Sequence, residues 1–137
     1  MHMLIIGGGL VGSYLAGLLQ SDGHSVTVIE AREAAKDLVQ RTAPGTGFIL
    51  GNGTDPFVLE SAGVRTADVV AAVTGADETN LVITSLARFA FNVPRTVARV
   101  NNPHHTWMFT PVMGVDVALN QADAMAHMIA QVVERQS

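Results

Sequence analysis

The chain contains no cysteine. Disulfides, thiol nucleophiles and cysteine-ligated metals are thereby excluded. No segment approaches the ~18 consecutive apolar residues of a membrane-crossing helix, so direct membrane insertion is not expected. The apolar run at the N-terminus has no basic region before it and is too short for a secretory signal. A cytoplasmic location is the expectation. Basic residues are few, 8 Lys+Arg against 12 Asp+Glu, and unclustered. With a formal net charge of −4, nonspecific nucleic-acid binding is disfavoured.

Catalytic groupings are missing as well. There is no Ser/His/Asp order, no His-x-x-x-His pair and no Lys/Tyr pair of the dehydrogenase kind. The adjacent His104 and His105 diverge on a helix and make a poor metal pair. His127 falls among Met125, Met128 and Ile129 and reads as part of a packing surface.

What is present is apolar and regularly punctuated. The 137 residues, 48% hydrophobic and 15% charged, fit one domain (residues 1–137) with a sizeable core and no room for a second, substrate-binding domain. That apolar content exceeds what a highly soluble monomer needs, so a partner is expected to cover part of the surface.

The opening is the most specific segment. An apolar run, Met3 to Ile6, leads into Gly7-x-Gly9-x-x-Gly12, and a helix-like stretch follows. Val26-Thr-Val-Ile29 then ends in Glu30, about where a dinucleotide-binding unit places its ribose-binding acid. Gly7 allows the tight turn, Gly9 lets a pyrophosphate approach the backbone, and Gly12 lets the first helix pack closely. The N–H groups at the helix start would face the phosphates. Glu30 would accept hydrogen bonds from two ribose hydroxyls. Gly8 adds a further glycine, so the register rests on Gly12.

Short β-branched runs alternate with amphipathic segments along the rest of the chain. Strands are predicted at His2–Ile6, Ser25–Glu30, Gly47–Leu50, Val69–Val73, Thr96–Val100 and Val115–Leu119. Helices are predicted at Leu10–Ser21, Ala34–Thr42, Pro56–Ser61, Glu78–Phe91, His104–Thr110 and Ala122–Glu134. The pattern predicts a doubly wound α/β Rossmann fold, a six-stranded parallel sheet of order 3-2-1-4-5-6 with right-handed crossovers. The loops after the first and fourth strands, Gly7–Gly12 and Thr74–Asn80, should then line one crevice.

Other groups follow from that placement. Thr54 or Asp55 caps the helix that begins at Pro56, leaving Asn52 and Gly53 to meet an adenine edge. Asp77 is predicted to cap the helix carrying Leu81, Ile83 and Leu86, with the Thr74 and Gly75 backbone facing ribose-phosphate. Arg99, late in an apolar strand, points towards phosphate, joins a subunit contact or is solvated. Arg32, past Ala31, could stack on adenine. Glu30 would repel a 2′-phosphate, so NAD is preferred to NADP. Met, Ile and Val in Ala124–Val133 give the last helix an apolar side, for the core or for a second subunit.

In these blocks the sequence resembles the N-terminal nucleotide-binding domain of RCK (regulator of potassium conductance) proteins, also written TrkA-N or KTN, of Trk- and Ktr-type potassium-uptake regulators. The resemblance covers nearly the whole chain. It rests on Gly7-Gly-Gly9-Leu-Val-Gly12, Val28-Ile-Glu30, Gly51-Asn-Gly-Thr-Asp55, Leu59-Glu-Ser-Ala-Gly63, Ala67-Asp68, Ala72-Val-Thr-Gly-Ala-Asp-Glu-Thr-Asn80, Ala98-Arg-Val100 and Gly114-Val-Asp116. The resemblance implies a cytoplasmic gating subunit on a membrane potassium transporter or channel, sensing NAD(H) or ATP/ADP (AMP also fits). It also implies a homodimer through the late helices, able to build into an octameric ring. By matching positions, Gly7, Gly9, Gly12, Glu30, Thr74 and Arg99 would be ligand contacts.

The departures matter too. Asn52 stands where the family often has an acid. Leu10 and Val11 are apolar where some ATP-responsive members carry an arginine, which favours NAD(H). No counterpart of the family's second, C-terminal domain is present. The alternative is the cofactor half of a small NAD-dependent oxidoreductase, but the non-enzymatic reading is preferred. A fold used only for assembly is a third reading.

Overall fold

A computed structural model describes residues 1–136. Six strands, β1 (His2–Ile6), β2 (Ser25–Glu30), β3 (Gly47–Leu50), β4 (Val69–Ala72), β5 (Arg95–Val100) and β6 (Val117–Asn120), form one sheet. Every neighbouring pair is parallel, and the order is β3-β2-β1-β4-β5-β6. The helices are α1 (Leu10–Ser21), α2 (Lys36–Thr42), α3 (Pro56–Ser61), α4 (Asp77–Ser85) and α5 (Gln121–Gln136).

The two-residue period of the strands divides the core by face. Leu4, Ile6, Val70 and Ala72 join Leu59, Ile83, Ala87 and Phe91 in one buried cluster beneath α3 and α4. Ile5, Val26, Val28 and Ala71 join Ala16 and Val39 in a second, beneath α1 and α2. A strand buried on both faces must be apolar throughout, which is why Leu4-Ile-Ile6 carries no polar residue.

Several predicted elements end differently. The long helix predicted at Glu78–Phe91 is α-helical only to Ser85, and Leu86–Ala90 form a π turn. Residues four apart drift by about 40° around an α-helix. A wider turn reduces that drift and keeps Ile83, Ala87 and Phe91 on the same core. The helix predicted at His104–Thr110 is a 3-10 segment, Pro103–Met108, whose start is set by the Asn102 cap and Pro103. The last strand begins at Val117, two residues later than predicted. Val115 is instead buried with Leu81, Val100 and Phe109. Asp116 leaves the ladder to make a two-pronged bond to Arg88, at 2.6 and 2.9 Å, and to accept from the Thr96 N–H at 2.9 Å.

Candidate functional site

At the C-terminal ends of the strands the sheet order reverses between β1 and β4, the switch point where such sheets open a crevice. A cleft of about 720 Å³ lies there. Gly7, Gly9, Leu10, Val11, Gly12, Glu30, Ala31, Arg32, Asn52, Gly53, Thr74, Gly75 and Arg99 all line it. Gly8 does not. Its N–H donates to Glu30 Oε1 at 3.0 Å, so its part is to hold that carboxylate. Sequence reading missed Gly51, Ala76 and Thr79, which also border the cleft, since nothing in their side chains announces a site.

The glycine turn is shaped by steric necessity. Gly7 has φ of +121°, and a Cβ there would lie 3.0 Å from the Val73 carbonyl group. A Cβ on Gly12 would lie 1.7 Å from the Gly7 oxygen, so α1 starts in direct contact with the turn. At Gly9 the nearest atom to an added Cβ is Arg32 Nη2, 3.7 Å away, so that position faces the cleft. Gly9 also caps α1 without a side-chain bond, leaving the first N–H groups of the helix directed outward.

Glu30 is only 7% exposed. Its carboxylate accepts from the N–H of Gly8, from the N–H of Arg32 at 2.8 Å, and from Arg32 Nε and Nη2 at 3.3 and 3.0 Å. Burial opposes ionisation, yet the Arg32 guanidinium and the two N–H donors outweigh it and hold the group below its ordinary value. Arg32 is thus folded back on Glu30, in place of the free stacking position predicted for it. A short-range pairing of this kind competes with any longer reach because both groups are already neighbours in the chain.

Asn52 also differs from its expected role. Its side-chain carbonyl accepts from the Thr54 N–H at 2.9 Å and hydroxyl at 2.7 Å. Only the amide NH₂ is left to face outward, so the side chain presents a donor rather than the donor–acceptor pair expected. Asp55 caps α3 through the Phe57 N–H as predicted.

On the far side of the cleft a polar network fixes the β4 loop. Thr74 donates its N–H and hydroxyl to Asn80 Oδ1 at 3.0 and 2.6 Å, and its carbonyl accepts from Asn80 and Asn101. The Thr74 backbone groups are therefore committed within the protein, and Gly75, exposed and with nothing within 4 Å of an added Cβ, is the open position. Asp77 is not the predicted cap. It is the first residue of α4, whose cap is Ala76, and it reaches across to the β5 loop. There it accepts from the N–H of Asn101 and Asn102, at 2.6 and 2.9 Å, and meets His105 Nδ1 at 2.8 Å. An ionised carboxylate only accepts, which assigns the shared proton to His105. Asn80 also donates to the Arg99 carbonyl at 2.9 Å. Arg99 Nε is the one buried side-chain nitrogen or oxygen without a hydrogen bond among the described residues. A buried donor in that state favours an acceptor arriving from the cleft.

Arg99, Leu10, Val11 and Val73 also border a second, more apolar groove, closed by Tyr14, Leu15 and Leu18 of α1 and by Ala118, Leu119 and Ala124. His127 is exposed on α5 beside Met125, Met128 and Ile129, its Nδ1 2.8 Å from the Asp123 carbonyl. Among the described residues no cluster of three His, Cys, Asp or Glu could hold a metal ion, and no helix is long and apolar enough to cross a membrane.

The reversed sheet, the glycine turn and the carboxylate closing β2 define a class, the Rossmann-type α/β fold. Within that class the chain belongs to the TrkA-N domain family, whose model matches residues 3–121. It is 42% identical over 137 residues to a Trk system potassium uptake protein TrkA homolog of Methanothermobacter thermautotrophicus, covering 98% of this chain and 61% of that protein. It is 37% identical to Trk system potassium uptake protein TrkA of Mycobacterium tuberculosis, covering 97% and 60%. The chain thus spans about three fifths of the length of these relatives. Among solved structures, the TrkA-N domain of inner membrane protein ybaL from Escherichia coli superposes with a TM-score of 0.83 at 20% identity, over 96% of this chain and 95% of that one. The AMP-bound C-terminal domain of Shewanella denitrificans Kef gives 0.79 at 18%, over 100% and 82%. The GsuK channel bound to NAD gives 0.73 at 23%, over 86% and 21%.

Proposed function

We propose that this chain is a regulatory nucleotide-binding module of a potassium transport system, which binds NAD(H), or an adenine nucleotide such as ATP, ADP or AMP, and controls a membrane transporter or channel. The observation that carries the reading is Glu30. It is a buried carboxylate kept ionised at the end of β2, across a glycine turn from the open start of α1. That pairing supplies acceptors for a ribose and donors for phosphate. The names of the relatives supply the potassium context, and the NAD- and AMP-bound neighbours are consistent with the ligand class.

A non-enzymatic role fits the cleft. Its ionisable lining is Glu30, a carboxylate held ionised, with the guanidinium groups of Arg32 and Arg99, a set without the histidine, cysteine, lysine or tyrosine that acid–base chemistry commonly uses. Regulation then requires a ligand to bind two arrangements of paired modules unequally. The module works in the cytoplasm as a homodimer, able to extend to an octameric ring, attached to the membrane only through its partner.

A nucleotide panel read by thermal unfolding tests the ligand. At 100-fold excess over Kd, stabilisation is about 2.7 kcal/mol, a rise of several degrees in Tm. Glu30→Gln should abolish it. Absence of any shift with NAD+, NADH, ATP, ADP and AMP would overturn the reading.

A further inference from the structure

We infer that Arg32 makes this site select phosphorylated adenosines over the bare nucleoside, by exchanging Glu30 for phosphate when ligand enters. The inference rests on the nucleotide reading above and adds a specificity element to it.

The starting point is the saturation of Glu30. A carboxylate offers about four lone-pair positions, and Glu30 already receives four donors. Two are backbone N–H groups, from Gly8 and Arg32, fixed by the glycine turn and by the path of the chain leaving β2. The other two belong to the Arg32 guanidinium. A ribose diol needs two acceptor positions, so it must displace that guanidinium.

The ion pair is built to yield from one side only. The Arg32 side chain is 68% exposed and that of Glu30 8%. Arginine can swing into water while the carboxylate stays where the diol meets it. The displaced group also has a destination. Arg32 Nη2 lies 3.7 Å from where a Cβ on Gly9 would sit, so the guanidinium is stretched across the glycine turn beside the open start of α1. A phosphate at that helix start meets a planar fork of donors matched to its oxygens.

The two ligand types therefore differ in what they return. Adenosine breaks the Arg32–Glu30 pair and offers the guanidinium nothing. ADP or NAD breaks it and supplies a phosphate in exchange. The arginine opposes the nucleoside and favours the nucleotide, through one side chain with two partners.

Isothermal titration of the whole chain and its Arg32→Ala and Arg32→Lys variants, with adenosine, ADP and NAD+, decides the matter. In Arg32→Ala, adenosine affinity should rise about two- to fivefold, the release of a largely exposed ion pair. Affinity for ADP and NAD+ should fall about tenfold, the loss of a charge-assisted phosphate contact. Arg32→Lys should lie between wild type and alanine for ADP, because it keeps the charge and loses the fork. Thermal unfolding should show Arg32→Ala folded like wild type, as expected for an exposed side chain. If Arg32→Ala changes adenosine and ADP affinity by the same factor, or weakens adenosine, the partner exchange is wrong while nucleotide binding stands. If wild type binds none of the three ligands, the nucleotide reading itself fails and this inference with it.

Discussion

Gly9 and Gly12 stand three positions apart in one turn, yet they answer to different constraints. At Gly12 an added methyl would lie 1.7 Å from a backbone oxygen, which cannot rotate away as a side chain would. Gly12→Ala should therefore destabilise the fold by roughly 3 kcal/mol or more, beyond the usual cost of overpacking, measured as a lowered urea midpoint. At Gly9 the backbone has φ of −75° and ψ of −164°, open to any residue, and only the mobile end of Arg32 is near. Gly9→Ala should leave stability within about 0.5 kcal/mol of wild type but weaken nucleotide binding about tenfold or more, by holding a pyrophosphate off the backbone. Equal losses of stability in both variants would mean that Gly9, too, is needed only for packing. The close packing at Gly12 and the open position of Gly9 were readable because spacing alone distinguishes them. Those of Arg32 and Asn52 were not. Each has a partner two residues away, Glu30 and Thr54, and local pairing is invisible to a motif that counts only ligand contacts.

Elements ordered by periodicity were legible, while those ordered by tertiary polar bonds were not. Strands β1, β2 and β3 and helices α1 and α3 keep their predicted limits because apolar runs and glycine, proline or aspartate stops mark them in the sequence. Between β5 and β6 the limits move: the helix expected at His104–Thr110 is a 3-10 segment, and β6 begins at Val117. Asp116 and Asp77 are each satisfied by residues more than twenty positions away or nearly so, at separations of 28 and 20 for Asp116 and 24 and 25 for Asp77, and no local spacing shows this. Asp77 ties the start of α4 to the loop after β5. Its burial raises the pKa, but donors from Asn101, Asn102 and His105 outweigh that and hold it below the ordinary 3.8. A lowered folded pKa means stability that is fully present above the ordinary value and lost as pH falls through the folded one. The wild-type urea midpoint should therefore drop below about pH 4, with Glu30, also held low, adding to the same limb. Asp77→Asn should lose about 1–3 kcal/mol at pH 7, since an amide cannot accept from every donor around it, and should show a shallower acid limb. An acid limb unchanged by Asp77→Asn would remove this carboxylate from the account.

At the scale of the whole molecule, the covering of the sheet is uneven. Helices α1 and α2 close one face over β1 and β2, but the same side of β6 stays open, with Val117 and Leu119 at 49% and 45% exposure. Beside it runs the apolar groove whose α1 wall is Leu10, Tyr14 and Leu18. Helix α5 carries Met125, Met128, Ile129, Val132 and Val133 on the i, i+3, i+4, i+7, i+8 stripe of a core-facing helix, yet each is between 54% and 66% exposed. An exposed apolar stripe and an exposed apolar groove favour a second copy, because a two-fold arrangement lets each α5 cover the other chain. Light scattering should then give a mass near twice 14.4 kDa at micromolar concentrations. Met128→Glu combined with Ile129→Glu should yield a monomer of unchanged circular dichroism, since neither side chain supports the core of its own chain. If nucleotide binding is linked to this pairing, the dissociation constant of the dimer should change with saturating NAD+, and by linkage the double variant should bind NAD+ with an affinity shifted by the corresponding factor. A dimer whose dissociation constant is the same with and without nucleotide would separate assembly from nucleotide binding, and the control proposed for a membrane partner would then have to pass through some other part of the surface.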